Sequence, residues 1–342
     1  MDAAAVDRVA DRAHGCLLGV ALGDALGMPT EGMAPGDLER RLGWVDDLLP
    51  GPGRALPAGQ VTDDTEQTVM LAEAILAADG AVRAEGVTRH LLAWVDRAGP
   101  RADAVIGPST ARAFAQLRSG ADPRTTGRSG TTNGAAMRIT PVGLIHRPDD
   151  LLALVGAVEE SCVMSHHTGV AISGASLVAG AVSAAVDLDV PGGGPAPDAV
   201  LDTLLDTAAH AARLGATRGI PVPAPDLAAR ADHARRIAER TDDDRTFLRR
   251  LHEEIGSSVA TEESVPAAIG CLVRGGGMPF RVAVLAANLG ADTDTVGAMA
   301  GGIAGALHGA SGVPADLIAR VLAVSSLDVQ RLAVPLARLR LR

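Results

Sequence analysis

The chain has 342 residues, a formal net charge of −10 at pH 7, and 31 basic residues that are all arginine. This acidic balance argues against a nucleic-acid backbone as the partner, because phosphate binding needs a basic surface. The absence of lysine excludes Schiff-base chemistry on lysine and the lysine of a P-loop.

Apolar residues make up 47% of the chain and aromatic residues 1%, so we expect a core of Ala, Val, Leu and Ile on closely approaching helices. The three cysteines lie singly, without CxxC spacing, as is typical of reduced thiols. The N-terminus has no signal-peptide pattern, so we predict a cytoplasmic protein. Residues 168–186 are uncharged over a length near that of a membrane span, but they are poor in Leu, Ile and Phe, which favours a buried central helix.

The first predicted helix, residues 5–28, carries three glycines four residues apart, and the segment 288–309 carries three more. Residues at this spacing share one helix face, so each face is a groove without side chains. Because a glycine costs a helix about 1 kcal/mol relative to alanine, close approach must matter here. We expect the two helices to pack against each other. The glycines are Gly19, Gly23 and Gly27 in the first helix and Gly297, Gly301 and Gly305 in the second.

Two clusters of carboxylate and hydroxyl side chains stand at predicted helix starts. Residues 62–65 (Thr-Asp-Asp-Thr) open an apolar helical pattern over 62–78, and residues 292–295 (Asp-Thr-Asp-Thr) open the glycine-bearing segment. Oxygen-only clusters suit hard cations such as Mg²⁺ or Mn²⁺ and suit zinc poorly. The alternative is that Asp63 and Asp294 are N-caps, a position that favours Asp and Thr.

Four weaker features lie outside these clusters. Glu31 follows the first helix in a turn, where a solvated carboxylate is the alternative. Residues 33–60 are rich in Pro and Gly and predict a long surface loop. Residues 125–134 form a small-residue loop whose backbone N–H groups suit an anion at a helix start, although ordinary linkers look the same. The pair at 166–167 consists of two histidines, which suit a metal or ligand site or a structural role.

The remaining patterns are helical, and no segment has the pattern of a convincing strand, so the predicted fold class is all-α. The acidic run 242–244 is followed by arginine and indicates a solvated helix start. Further helices are predicted over residues 86–97, 108–118, 149–164, 199–214, 226–238 and 279–287.

Several stretches, taken together in their order along the chain, resemble the ADP-ribosylglycohydrolase family, to which the dinitrogenase reductase-activating glycohydrolase belongs. One stretch alone is weak evidence of the resemblance, but the set of stretches in this order is highly specific for the family. The resemblance implies a compact orthogonal helical bundle, one domain over residues 1–342 with its core over about 12–310, and a central cleft that holds two Mg²⁺ or Mn²⁺ ions. The resembling stretches are 19–27 with Glu31, 62–65, 133–138, His166, 263–266 and 290–295.

Matched residue by residue, the resemblance implies two metal sites, a set of catalytic groups and a substrate loop that cradles a diphosphate. The implied ligands of the first metal are Thr62, Asp63 and Asp64. Those of the second are Asp292, Asp294, Thr295 and Glu31, with Asp294 bridging the two ions. The implied catalytic residues are Glu31, Asp103 and Asp292. The implied substrate-binding residues are Ser129, Gly130, Thr131, Thr132, Asn133, Gly134, Met137 and His166.

The implied reaction is hydrolysis of the glycosidic bond at ribose C1 of an ADP-ribosylated protein or small molecule, by a water activated at the two-metal centre. Ala291 stands where the family commonly has glycine, a change that is tolerated if its φ is negative.

The substrate loop lacks an aromatic residue on which an adenine would stack. This favours, as an alternative, an N-ribohydrolase of nucleosides or other ribosylated metabolites. A second alternative is a non-catalytic ADP-ribose-binding protein. We expect no nucleic-acid or membrane partner and a monomer or small homo-oligomer.

Overall fold

The computed structural model describes residues 2–51, 56–99, 102 and 105–342, and these residues form helices and connections without a β-strand. The predicted all-α class is confirmed, whereas the assignment of the whole chain to one domain stays a prediction. The helices described are α1 (Ala3–Gly27), α2 (Pro35–Leu42), α3 (Asp63–Ala77), α4 (Ala84–Ala98), α5 (Pro108–Arg118), α6 (Pro123–Thr126), α7 (Gly134–Met137), α8 (Thr140–Ile145), α9 (Leu151–Cys162), α10 (Gly169–Asp187), α11 (Asp198–Ala216), α12 (Leu227–Glu239), α13 (Asp244–Glu254), α14 (Thr261–Arg274), α15 (Pro279–Ala287), α16 (Thr293–His308), α17 (Ala315–Ser325) and α18 (Gln330–Arg340).

The predicted long loop over residues 33–60 is wrong in part, because it contains α2. Two of the Pro and Gly residues that suggested a loop, Pro35 and Gly43, stand at the ends of this helix. Pro35 occupies its first turn, where proline has no intrahelical hydrogen bond to lose. Gly43 ends it with a φ of +70°. The other predicted helices agree with the structure to within a few residues, and α5 and α15 have the predicted bounds.

Helices α1 and α16 pack against each other along their glycines, as predicted. A Cβ atom built on Gly19 would lie 2.0 Å from the carbonyl oxygen of Gly301, and one on Gly23 would lie 1.9 Å from that of Gly297. Residues with higher numbers in α1 contact residues with lower numbers in α16, so the two helices run antiparallel. The next glycine of α1, Gly27, meets the backbone of Asp294. This packing therefore fixes the start of α16, with its carboxylates, against the end of α1.

Helix α10 is the predicted central helix. Among the described residues it alone has the length and apolar composition that a membrane crossing requires, yet its residues are buried inside the protein. It packs against α11, where a Cβ atom built on Gly180 would lie 2.8 Å from the Cβ of Ala211. Small residues on both helices thus allow close helix packing in a core with few aromatic residues.

We predict that Gly23→Ala lowers the free energy of unfolding by about 3 kcal/mol, because its methyl group collides with a backbone carbonyl that cannot rotate away. The matched control is Gly156→Ala in α9, where an added Cβ meets no atom within 4 Å. There the substitution should raise stability by about 0.5–1 kcal/mol through helix propensity. Urea denaturation of the three proteins checks both values, and equal effects of the two substitutions would contradict the packing argument.

Candidate metal and substrate cleft

The two carboxylate clusters stand at helix starts, but neither Asp63 nor Asp294 is an N-cap. Helix α3 begins at Asp63, and the capping residue is Thr62, whose hydroxyl oxygen accepts from the Asp64 amide. Helix α16 has Asp292 at its N-cap position, without a side-chain capping bond. The N-cap alternative is therefore wrong for both residues. Helix capping does not explain why Asp63 and Asp294 stand at these positions.

A residue to which the sequence patterns assigned no role, Asp24 of α1, holds the first cluster in place. Its buried carboxylate accepts hydrogen bonds from the backbone amides of Thr62 and Thr65 at 3.0 and 3.1 Å and from both of their hydroxyls. Burial raises the pKa of Asp24 to about 7, and the hydrogen bonds oppose this rise. In the sequence, Asp24 is the one charged residue in the glycine-bearing second half of α1, residues 15–27. Asp24 thus fixes the turn that presents Asp63 and Asp64.

Both clusters line a single cleft. Glu31, Asp292 and Asp294 offer carboxylate oxygens that all lie within 4.8 Å of one another. Asp63 and Asp64 line the same cleft, and Oδ1 of Asp64 is buried without a hydrogen-bond partner. The other described lining residues are Val105, Gly107, Pro108, Thr110, Thr132, Asn133, Gly134, Met137, Val259 and Thr295.

The electrostatics of the cleft favour a bound cation. Burial, reinforced by the neighbouring carboxylates, raises the pKa values of Asp63, Asp64 and Asp294 well above 3.8. Burial likewise raises the pKa of Asp292 to about 6, opposed by its hydrogen bond from Asn133. Because an unpartnered buried carboxylate oxygen is costly, Asp64 Oδ1 fits a position facing a metal. The residues present, all oxygen donors, fit Mg²⁺ or Mn²⁺.

The loop before Asp292 contains a strained residue. Ala291 has a φ of +63°, in the left-handed region, so the expectation of a tolerant negative φ is wrong. Two backbone hydrogen bonds hold it there: its amide donates to Met33 at 2.8 Å, and its carbonyl accepts from Gly32 at 2.7 Å. The Asp292 amide donates to the carbonyl of Ser257. This loop therefore joins the turn after Glu31 to the start of α16.

Half of the predicted substrate loop faces the cleft. Thr132, Asn133 and Gly134 line it, together with Met137 of α7. The Asn133 amide donates to the Asp292 carboxylate and to the Ser264 hydroxyl, so it connects the substrate loop to the second carboxylate cluster.

The other predicted substrate residues lie outside the lining. Ser129 and Thr131 are exposed, and Gly130 packs against the carbonyl of Ser165. His166 is fully buried behind Thr132, 3.0 Å from its hydroxyl. The predicted ligand Thr62 is buried, hydrogen-bonds to Asp24 and Asp64, and is not among the described lining residues of the cleft. The predicted catalytic residue Asp103 lies outside the described residues.

The chain is similar to known proteins over nearly its whole length. The family model of ADP-ribosylglycohydrolases matches residues 5–341. The chain is 36% identical to the uncharacterized protein YegU of Escherichia coli, over 96% of this chain and 97% of YegU. It is 28% identical to the ADP-ribosylhydrolase ARH3 of Bos taurus, over 90% and 87% of the two chains.

A solved structure, described as an ADP-ribosylglycohydrolase-related protein complex, superposes with a TM-score of 0.70 at 26% identity. The superposed region covers 98% of this chain and 99% of the chain in that structure. The chain belongs to the ADP-ribosylglycohydrolase family and is a hydrolase of that type.

We predict that Ala291→Gly raises the free energy of unfolding by up to about 1 kcal/mol, because glycine adopts a positive φ without strain. Its greater freedom in the unfolded state offsets part of the gain. Urea denaturation checks the value. Ala298→Gly, inside α16, is the matched control and should lower stability. A destabilised Ala291→Gly protein would contradict the strain argument.

We also predict that Asp64→Asn is more stable than the wild type when no metal is present. A folded-state pKa raised above the unfolded value makes stability greatest at low pH and reduces it as the pH rises through the folded pKa. The advantage of the variant should therefore widen as the pH rises above 3.8, the ordinary pKa of the carboxyl, and through the raised folded-state pKa. With saturating Mn²⁺ the order should reverse, because the wild type gains the free energy of metal binding.

Thermal unfolding with and without Mn²⁺ checks this order of stabilities. The acidic run 242–244 is a helix start, as predicted, because Asp243 caps α13. Its first residue, Asp242, is exposed. Asp242→Asn is the control and should leave both curves unchanged. A metal-free Asp64→Asn protein less stable than the wild type at pH 8 would contradict the repulsion described above.

Proposed function

We propose that this protein is a divalent-metal-dependent hydrolase that cleaves the glycosidic bond at ribose C1 of an ADP-ribosylated protein or small molecule. The observation that carries the proposal is the convergence of five carboxylates on one cleft, with Asp64 Oδ1 buried and unpartnered. A catalytic cleft explains why the fold keeps these mutually repelling groups together. The family match supports the reaction class, and the name of ARH3 describes that relative as an ADP-ribosylhydrolase.

Two groups of residues would hold the ions. Thr62, Asp63 and Asp64 would bind one ion, and Asp292, Asp294, Thr295 and Glu31 would bind the other, with Asp294 shared. Bound Mg²⁺ or Mn²⁺ would supply Lewis acidity toward ribose hydroxyls and would lower the pKa of a coordinated water.

The protein's own groups would organise the reaction around the ribose. The carbon–heteroatom bond at C1 breaks as water adds there, through a state with oxocarbenium character that nearby carboxylates stabilise. Glu31 is partly exposed, whereas Asp292 and Asp294 are buried. Its access to the open part of the cleft favours Glu31 as the group that takes the proton of the water. Asn133 would keep the Asp292 carboxylate in its orientation.

One observation favours a second candidate, an N-ribohydrolase acting on a nucleoside or another ribosylated metabolite. None of the five aromatic residues of the chain is among the lining residues described. Phe114, Phe247 and Trp94 are buried in the core, and Trp44 and Phe280 lie in other grooves. Among the described lining residues, an adenine would find apolar side chains without an aromatic ring, such as Val259 and Met137, on which to pack.

We predict that ADP-ribose binds the metal-loaded protein and that Asp294→Ala abolishes this binding together with turnover. The reason is that Asp294 belongs to both proposed ion sites. Calorimetric titration of ADP-ribose with Mg²⁺ or Mn²⁺ checks the binding, and release of ADP-ribose from arginine-, serine- and acetyl-linked substrates checks the reaction. Asp242→Asn is the control and should behave as the wild type does.

The outcomes separate the candidates. Turnover of nucleosides without ADP-ribose binding would favour the N-ribohydrolase. Metal-dependent binding of ADP-ribose without turnover of any substrate would favour a non-catalytic binding protein. Turnover that persists in Asp294→Ala after its metal is lost would contradict the two-metal role.

A further inference from the structure

A buried arginine lies behind the cleft wall. Arg138, directly after α7, is fully buried, and burial lowers the pKa of its guanidinium. Its nearest partners in the described part of the chain are neutral: it donates to Gln67 Oε1 at 3.0 Å, to the Gly134 carbonyl at 2.8 Å and to Ser165 Oγ at 2.9 Å. Gln67 in turn donates to Asp63 at 2.9 Å. The guanidinium is thus anchored between the first carboxylate cluster and the turn that carries His166.

The hydrogen bonds of Ser165 determine which ring nitrogen of His166 carries the proton. Ser165 Oγ accepts from Arg138, and it lies 2.7 Å from His166 Nδ1. A hydroxyl has one hydrogen to donate, and Nδ1 is the one other partner described for it. The hydroxyl is therefore satisfied when it donates to a bare Nδ1. The neutral ring must then carry its hydrogen on Nε2, 3.0 Å from Thr132 Oγ1.

The opposite assignment leaves the hydrogen of the Ser165 hydroxyl without a described acceptor. If Nδ1 carried the proton, the Ser165 hydroxyl would accept twice and its hydrogen would have no acceptor among the described residues. A doubly protonated ring is disfavoured as well. Burial first, then the nearby Arg138 and Arg112, lowers the pKa of His166 well below 6.5.

The tautomer of His166 determines how the hydroxyl of Thr132, a cleft residue, can hydrogen-bond. This residue is partly exposed and lines the cleft beside Asn133. Because its oxygen accepts from His166 Nε2, its own hydrogen is left to donate. In the described part of the chain the Thr132 hydroxyl has no second protein partner. An acceptor oxygen of a bound ligand is the group that fits this hydrogen.

We propose that Arg138 and Ser165 are positioning residues that hold His166 as an Nε2–H donor, so that Thr132 presents its hydroxyl hydrogen to an oxygen atom of the substrate. The role of His166 is then indirect: it orients Thr132 and exchanges no proton with the substrate. The tautomer is a property of the free protein, whereas the contact with substrate rests on the proposed function.

The tautomer is tested by ¹⁵N NMR of the imidazole rings in the full-length protein without ligand. His166→Gln assigns the His166 signals among the nine histidines. We expect a protonated Nε2 and an unprotonated, hydrogen-bonded Nδ1, and we expect Ser165→Ala to move the Nδ1 signal to that of an unprotonated nitrogen without a hydrogen bond. The matched control, Ser161→Ala, removes an equally buried hydroxyl that bonds to Val158, and should leave both signals unchanged. A protonated Nδ1 in the wild type, or an Nδ1 signal unaffected by Ser165→Ala, would overturn the proposal.

The coupling to ligand is tested with ADP-ribose and Mg²⁺ as the probe. Thr132→Val should weaken binding about fivefold to tenfold, the equivalent of one hydrogen bond, and Thr132→Ser should retain it. Ser165→Ala should also weaken binding, and the double variant should bind no more weakly than Thr132→Val alone, because both substitutions remove one interaction. Losses that multiply in the double variant would overturn the proposal. A wild type that fails to bind ADP-ribose would count against the proposed function, and the NMR result would still decide the tautomer.

Discussion

The contact on which the site depends is the backbone-to-backbone packing of α1 against α16. Three successive glycines of α1 meet the α16 backbone so closely that a methyl group fits at none of them. This single contact brings together groups far apart in the sequence: Asp24 on α1, the turn that ends at Glu31, and Asp294 at the start of α16. Gly27 lies against Asp294 itself, so the helix packing and the carboxylate geometry are one structural feature.

This arrangement has a free-energy cost that a bound cation would reduce. Buried carboxylates near one another favour protonation, and the raised pKa values in the cleft express that cost. The fold opposes the cost with hydrogen bonds that hold individual side chains: Asn133 to Asp292, Gln67 to Asp63, and the threonines around Asp24. Asp64 Oδ1 is left without such a partner. Stability given up at this cleft is what a metal-dependent function would require.

The sequence predicted features that follow from local spacing. The glycines at intervals of four define helix faces, so the packing of α1 on α16 could be inferred from the sequence alone. The helix starts at residues 62–65 and 292–295 could be inferred in the same way. Their meeting in one cleft was expected from the family resemblance, since local spacing does not report which helix starts converge.

Other features depend on contacts between segments that are distant in the sequence, so no local sequence pattern predicts them. The acceptor role of Asp24 toward Thr62, the burial of His166 behind Thr132, and the arrangement of Arg138 between Gln67 and Ser165 are of this kind. The positive φ of Ala291 arises from hydrogen bonds to Gly32 and Met33, more than 250 residues earlier in the chain.

The central claim, that this cleft is a two-metal centre, is tested most directly by anomalous diffraction from crystals of the protein grown with Mn²⁺. We expect two anomalous peaks in the cleft, one beside Asp64 Oδ1 and one beside Asp292, with Asp294 contacting both. An ordered cleft without an anomalous peak, in crystals grown at saturating Mn²⁺ near neutral pH, would contradict the two-metal centre.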